Sequence, residues 1–562
     1  MTNSKVKRIP YGLTDFVRIR TEDWYFVDKT KYIEILENYP DNYVMFLRPR
    51  RFGKTLFLAI LDAYYNVQFK DDFDLLFKDT YIHAHKTKEA NSYCMLMFNF
   101  SVVDTREVKR SFLHHIKLKI DSFIEIYNLD IKIDDSPLST LGNILDYFVK
   151  NQSKKLYILI DEYDHFANRL LLQEKDEYLK LVTQKEAVFK QFFTVLKAGT
   201  SGNNAPIKRM FITGVTPMTM YDVTSGFNIG SNISLNSSFN EMLGFSEDEV
   251  KEMMEYFHIP FKYFDLMKEW YDNYQFSKKN SLKIFNTDMA SYFIKEYHKE
   301  DEPPRELIDI NVRSDYSKLR EVIYTNQKLN GNFESLKNLI AGDTIELETI
   351  NTDFSGANFK DEDNFKSLLF YLGLVTIKEI SIDTVLKIPN ETIKRIDIDF
   401  LKDSLELEEM FELNVSKLSK LLKEFALNGS LEVFRYLSDE IKRNTGLRDY
   451  IQNEQTIKAM FLAYLSLTQY FVVKSELELN KGFADITLKP LNPYVEYFGL
   501  LEFKFYRKKD EKPNTIETLI TEAKEQLDRY EKDELVQNFI KDGKKLVKVV
   551  LVFRDYELVE VQ

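Results

Sequence analysis

The stretch YVMFLRPRRFGKTLFLAIL, residues 43–61, decides how the N-terminal half is read. Its first five residues, Tyr43 to Leu47, are apolar throughout, which suits a strand buried on both faces. A basic loop follows, and after Gly53-Lys54-Thr55 an amphipathic helix opens. A strand, a glycine-bearing loop and a helix start are what anion binding requires. Backbone N–H groups and a lysine ammonium converge there on phosphate oxygens, and a hydroxyl stands ready for magnesium. On this reading Arg51, Phe52, Gly53, Lys54 and Thr55 are the nucleotide-binding residues, and Thr55 is also a metal ligand. The GxxxxGK[ST] pattern wants glycine where this chain has Arg48. Arg48, Arg50 and Arg51 either add anion attraction or belong to a basic loop with another role.

A second run, LYILIDEYD (156–164), is an apolar strand that ends in two acids. Asp161 would hold magnesium through water, and Glu162 would orient or deprotonate the attacking water. A strand ending in an acidic turn is the plainer alternative, weakened by the loop upstream. A third strand end, FITGVTP (211–217), places Thr213 or Thr216 where a hydroxyl would sense a γ-phosphate, although an ordinary turn with Gly and Pro explains it equally well. From about 40 to 240, such apolar runs alternate with amphipathic stretches, the pattern of a parallel sheet covered by helices.

Composition sets the outer limits. At 562 residues the chain is too long for one core, and domain sizes imply about three to four units. A hydrophobic share of 44% fills several cores, and 30% charge is ordinary for a soluble surface. The net charge of −12 argues against coating nucleic acid by bulk electrostatics, so any such contact is local. The single cysteine, Cys94, excludes a disulfide framework and a cysteine-based zinc site within the chain, and reads as a small buried hydrophobe. No run of about 18 apolar residues and no secretory h-region is present, so a cytoplasmic location without membrane contact is expected.

From about 245 to 440 the pattern is mostly helical, with acidic helices such as SEDEVKEMMEYF. Within it, FKSLLFYLGLVTI followed by VLKIPNETI reads as a helix and then a short hairpin, as in winged-helix units. Beyond about 445 the order becomes helix (TIKAMFLAYLSL), three strands (FVVKSELEL, ADITLKP, YFGLLEFKF), helix (ITEAKEQLDRYEK) and a final strand (LVKVVLVF).

This last part carries a second constellation. Metal-dependent phosphodiester cleavage needs carboxylates to hold the ion and a lysine to position or activate water. GFADITL puts Asp485 on one strand, and LLEFKF puts Glu502 and Lys504 two apart on the next, on one face. Those charges interrupt an apolar strand, which is costly unless a ligand compensates; a half-exposed strand with a surface salt pair is the rival reading. Glu454 is the candidate additional metal ligand, with Glu476 and Glu478 as competitors. Gln526 and Tyr530 stand four apart on one helix face. The basic residues Arg507, Lys508 and Lys509 that follow the strand are candidate nucleic-acid backbone contacts, with a solvated strand end as the equal alternative.

The phrases IPYGLTDF, WYFVDKT, FLRPRRFGKT, LIDEYD and FITGVTP occur in an order similar to the bacterial AAA-ATPase-like family, which is usually fused to a PD-(D/E)XK domain. WYDNYQF, FKSLLFYLGLVTI and LKIPNE resemble its middle region, and Gln526 with Tyr530 resembles the QxxxY signature of exonuclease-type PD-(D/E)XK proteins, which implies a helix that borders the active site and makes these two residues candidate nucleic-acid contacts. In that family the arginine-rich loop is usual. The resemblance implies ATP binding by Lys54 and Thr55. The expected fold class is α/β in three parts. A P-loop ATPase domain (1–240) has a parallel sheet with helices on both faces, a helical, winged-helix-like lid spans 241–440, and an α/β restriction-endonuclease-like domain spans 441–562.

The function expected is an ATP-binding, magnesium- or manganese-dependent enzyme that cleaves DNA or RNA, with Glu162, Asp485, Glu502 and Lys504 as catalytic residues. Genome defence or mobile-element biology would suit it. The rival is a nucleotide-dependent switch or interaction protein whose nuclease fold binds without cutting. AAA-like ATPases often form rings, so a homo-oligomer is an open option; no arginine finger stands out.

Overall fold

Buried apolar runs can satisfy their backbone groups only by pairing with one another, and the runs of the N-terminal half do so in parallel. The computed structural model describes residues 6–562 apart from 174–186, 203, 220–229, 278, 280–281, 314–338, 340–343, 355–360, 397–413, 444–453, 467–469, 481 and 492–493. Strands β1 (Tyr43–Leu47), β2 (Tyr93–Asn99), β3 (Lys155–Asp161), β4 (Ile207–Gly214) and β5 (Ser231–Asn232) form one sheet in the order β2-β3-β4-β1-β5. The pairs β2–β3, β3–β4, β4–β1 and β1–β5 are all parallel. β4 therefore lies between the loop-bearing strand and the acid-bearing strand.

Helices cover both faces. Tyr65, at the end of the helix Lys54–Tyr65, packs on Tyr93 and Tyr157, with ring centroids 5.6 and 5.2 Å apart. Phe192, from the helix Val188–Gly199, meets Phe98 at 5.2 Å. Tyr93 and Phe98 differ by an odd number along β2 and so point to opposite faces. Cys94 lies buried in the same strand, and burial pushes its thiol up to about 11, as expected of an inert core residue.

The chain divides into two compact units: residues 1–330 with 346–390, and 331–345 with 391–562. The segment 241–440, expected as a lid of its own, is thus shared between them. The helix-then-hairpin pattern is present in it. The helix Glu362–Leu372 ends at Gly373 in the left-handed region (φ 78°). It is followed by β7 (Thr376–Ile380) and β8 (Thr384–Lys387), which joins β6 (Ile345–Leu347) in a three-stranded sheet.

In the second unit, β9 (Phe471–Leu479), β10 (Gly482–Pro490), β11 (Tyr497–Tyr506), β12 (Lys545–Arg554) and β13 (Glu557–Val561) form a mixed sheet in the order β13-β12-β11-β10-β9. Its pairings are antiparallel except β11–β12, which the helix Thr515–Glu531 connects as a parallel crossover. LVKVVLVF is not the last strand, as the pattern had suggested. ELVEV adds β13 on its open side, too short and too charged to register as a buried run. One face packs Phe498, Leu500, Val550 and Val552 against Ala523, Leu527 and Tyr530 of the long helix. The other stacks Phe503 and Phe553 under Phe461 of the helix Glu454–Leu465. Among the described residues no helix is long and apolar enough to cross a membrane.

Candidate functional sites

Between β1 and the helix Lys54–Tyr65 the backbone curls through two left-handed residues, Arg51 (φ 65°) and Gly53 (φ 89°). Such a curl turns successive N–H groups toward one concavity, which suits an anion. Lys54 begins the helix with its side chain buried. Its Nζ donates to the carbonyls of Arg48 (3.1 Å) and Pro49 (2.9 Å), so the ammonium is held across the loop's mouth. Thr55 donates its hydroxyl to Asp161 Oδ2 at 2.8 Å, which joins the first and second motifs. The Asn99 amide lies 3.4 Å from the same oxygen, and the buried Asp161 Oδ1 has no hydrogen-bond partner. Burial pushes the Asp161 carboxyl up to about 6, against the pull of the Thr55 hydroxyl. An orphaned buried carboxylate oxygen beside a threonine hydroxyl is a donor set that fits magnesium.

Glu162 leaves β3 in the left-handed region (φ 48°), and its Oε2 lies 3.0 Å from His165 Nδ1. Burial alone would raise its carboxyl. The His165 hydrogen bond and the Lys54 charge outweigh that and hold it down at about 2. Two adjacent acids thus have separated protonation behaviour.

Other members of the constellation are placed differently from expectation. Thr213 donates its hydroxyl to the Phe46 carbonyl (3.0 Å) and is buried between β4 and β1. Thr216 is bound to Asp164, which accepts from the Val215 and Thr216 N–H groups and from the Thr216 hydroxyl. The third motif is therefore a turn clamped by the last acid of the second. Arg48 is 1% exposed, its guanidinium between Phe46 (4.1 Å) and Phe276 (4.3 Å) and donating to the carbonyls of Leu47, Ser234 and Phe239. It braces the loop from behind. Arg51 pairs with Asp288 at 2.5 Å, and its carbonyl accepts from the Thr287 hydroxyl at 2.7 Å. Phe52 is buried edge-on against Tyr274 and Phe276, so it offers the site its backbone and not its ring.

A cleft of about 330 Å³ opens on this loop. Lys54, Thr55 and Glu162 line one end, and Pro10, Leu13, Phe26 and Val27 form an apolar wall. That wall comes from the IPYGLTDF and WYFVDKT segments, whose spacing alone carried no contact information.

In the second unit, Glu502 and Lys504 sit on the β11 face that packs the long helix, interrupting the row Phe498, Leu500, Tyr506. Lys504 Nζ lies 3.0 Å from Glu502 Oε1 and 2.6 Å from the Gln526 amide oxygen. Glu502 is 3% exposed, and its Oε2 is buried without a partner. Burial first, then the neighbouring Asp485, pushes its carboxyl up to about 7. Asp485 Oδ2 accepts from the Phe503 N–H at 2.7 Å, which ties β10 to β11 beside Glu502. Across from it Glu476 takes a left-handed φ of 51°. The ladder pairs Ala484 with Leu477 and Ile486 with Ser475 on either side of that interruption.

One residue here escaped the sequence reading. Lys458, on the helix Glu454–Leu465, pairs with Asp485, lies 2.8 Å from Glu454 and is 3.9 Å from Glu476. The only sequence signal was the i,i+4 spacing of Glu454 and Lys458, which any surface helix shows. Glu454 shares this lysine with Asp485, one ammonium standing between the two carboxylates. Among the described residues no three His, Cys, Asp or Glu side chains form a metal centre. Asp485, Glu502 and Lys504 do converge, and the orphaned Glu502 oxygen fits a cation.

Gln526 reaches the site through Lys504. Tyr530 does not face outward. It is buried, donates to the Phe483 carbonyl at 3.0 Å and fills the space a side chain at Gly482 would take. It thereby holds β10 against the long helix. Arg507, Lys508 and Lys509 are exposed just past the end of β11. A groove of about 610 Å³ lined by Lys504, Gln526, Arg529 and Lys532, with Glu522, Glu525 and Asp528, lies along the helix.

Residues 10–224 match the family described as "Predicted AAA-ATPase", and residues 452–562 match the family described as "PD-(D/E)XK nuclease superfamily". An uncharacterised protein in the vnfD 5′ region of Azotobacter chroococcum is 22% identical over 277 residues, 48% of this chain and 49% of that protein. The chain thus spans about half the length of this curated relative. Among solved structures, the Aeropyrum pernix ORC2 protein in ADPNP-ADP complexes is 11% identical with a TM-score of 0.35, over 69% of this chain and 98% of the other. Drosophila ORC bound to GC-rich DNA and Cdc6 is 11% identical with a TM-score of 0.21, over 80% and 70%.

Proposed function

We propose that this chain, which joins an AAA-ATPase-like domain to a PD-(D/E)XK nuclease superfamily domain, is an ATP-regulated, metal-dependent nuclease. The observation that carries the reading is the set Asp485, Glu502 and Lys504, gathered within a packed sheet with one Glu502 oxygen unpartnered. Burying such charge with no ligand to compensate is expensive, so its retention points to use.

In the N-terminal domain, Lys54 would leave the loop carbonyls for the β- and γ-phosphates, and Thr55 with Asp161 would hold magnesium. Glu162, ionised and oriented by His165, would accept the proton of the attacking water. The apolar wall around Phe26 would take the base. In the C-terminal domain, Asp485 and Glu502 would hold magnesium or manganese. The bound ion would supply charge stabilisation at the scissile phosphate. Lys504, kept in place by Gln526, would position the attacking water, and the exposed Arg507 and Lys508 would hold the phosphate backbone.

The experiment is incubation of the purified protein with ATP, magnesium or manganese, and labelled single- and double-stranded DNA and RNA. Cleavage should fall at least a hundredfold in Lys504→Ala. Absence of cleavage of every substrate, with ATP binding intact, would overturn the enzyme reading. It would leave the second one, a nucleotide-dependent switch whose nuclease fold only binds. The Lys458 ammonium among the acids is the observation that favours that second reading.

A further inference from the structure

The carboxylates of the C-terminal site are already neutralised from within. Lys458 reaches in from the helix Glu454–Leu465 and sets its Nζ among Asp485, Glu454 and Glu476, so that a cation already stands against the Asp485 carboxylate. Phe461, one turn further along, is wedged against Phe503 and Phe553, so the helix that carries Lys458 is fixed on the sheet. The side chain, by contrast, is a flexible four-carbon stem. Its exposure of 17%, against 9% for Asp485, leaves a way out toward solvent. Glu476, with 51% of its side chain exposed, stands on that route as an alternative partner. Lys504 cannot play the same part: it belongs to the Glu502 and Gln526 side of the site.

We infer that Lys458 is a tethered cation that occupies the Asp485 side of the site until a divalent metal displaces it, and so sets the metal concentration at which the site assembles. The inference rests on the reading of Asp485 and Glu502 as metal ligands. One ammonium supplies a single charge and three donors, whereas a divalent ion supplies twice the charge at shorter range. Exchange is therefore favourable at sufficient metal, but each ion bound has first to break the Lys458–Asp485 pair. Until then Asp485 is charge-compensated, which keeps the empty site folded.

The test is calorimetric titration of the full chain with Mn²⁺, without nucleotide, counting only binding that Asp485→Asn abolishes. Lys458→Gln should bind Mn²⁺ about tenfold more tightly than the wild type, and Lys458→Arg should stay within about twofold of it. In the wild type, Mn²⁺ should increase labelling of Lys458 by an amine-reactive reagent, read by mass spectrometry. That measurement does not depend on how Lys458→Gln folds. Equal or weaker Mn²⁺ affinity in Lys458→Gln, or labelling unchanged by Mn²⁺, overturns the inference alone. No Asp485-dependent binding in any of the proteins overturns the metal reading beneath it as well.

Discussion

Single side chains carry most of the chemistry argued above, and several are held in states that the fold imposes. Glu162 is ionised because His165 and Lys54 outweigh its burial, so Glu162→Gln should abolish ATP turnover by about two orders of magnitude or more while leaving ATP affinity near wild type. Steady-state hydrolysis and equilibrium nucleotide binding separate the two effects, and unchanged turnover would remove Glu162 from the mechanism. Asp272, in WYDNYQF, is fully buried with both carboxylate oxygens lacking a hydrogen-bond partner. Burial pushes it up to about 6 from 3.8. The fold therefore favours its protonated form. Its contribution is fully present below about pH 4 and lost as pH rises through 6, a change on the order of 3 kcal/mol. Unfolding of wild type and Asp272→Asn between pH 4 and 8 should diverge by that amount, the variant having the flatter curve; parallel curves would refute the assignment.

Elements matter where one motif holds another. Asp164, the last acid of LIDEYD, binds the turn after β4, and Gly214 lies directly beneath it. A Cβ there would stand 2.5 Å from Asp164 Oδ1 and from Tyr163 Cδ1. Gly214→Ala should cost about 1–3 kcal/mol in denaturant unfolding and loosen the β3–β4 strand ends that present Asp161. A variant as stable as wild type would show that the turn relaxes freely. The helix Thr287–Glu300 acts similarly on the phosphate loop, because Thr287 and Asp288 grip Arg51 from its first turn. In the second unit, Tyr530 and Gly482 close the long helix onto β10, which fixes the strand bearing Asp485. Through such links Thr213 and Tyr530, read from sequence as ligand contacts, also hold neighbouring strands.

At the scale of the molecule, the proposal is that nucleotide state in one domain governs chemistry in the other. Lys54→Ala should therefore remove ATP dependence from nucleic-acid cleavage while Asp485→Asn removes cleavage itself. Cleavage by Lys54→Ala with undiminished ATP stimulation would separate the two activities. The loop, the acid-ended strand and the Asp485, Glu502, Lys504 set were legible because each is local: a strand end, a helix start and two-residue alternation are periodicities of adjacent residues. The order β2-β3-β4-β1-β5, the burial of Arg48 and the division of residues 241–440 between two units were not, since each depends on chain segments far apart in sequence. The same holds for Lys458. From its sequence it is one end of an ordinary helical ion pair, and only the packing of its helix on the sheet brings the ammonium to Asp485. Local pattern determined which residues can do chemistry, and long-range packing decided which of them meet. Side-chain periodicity is a property of neighbours, whereas burial and charge pairing are properties of the folded chain.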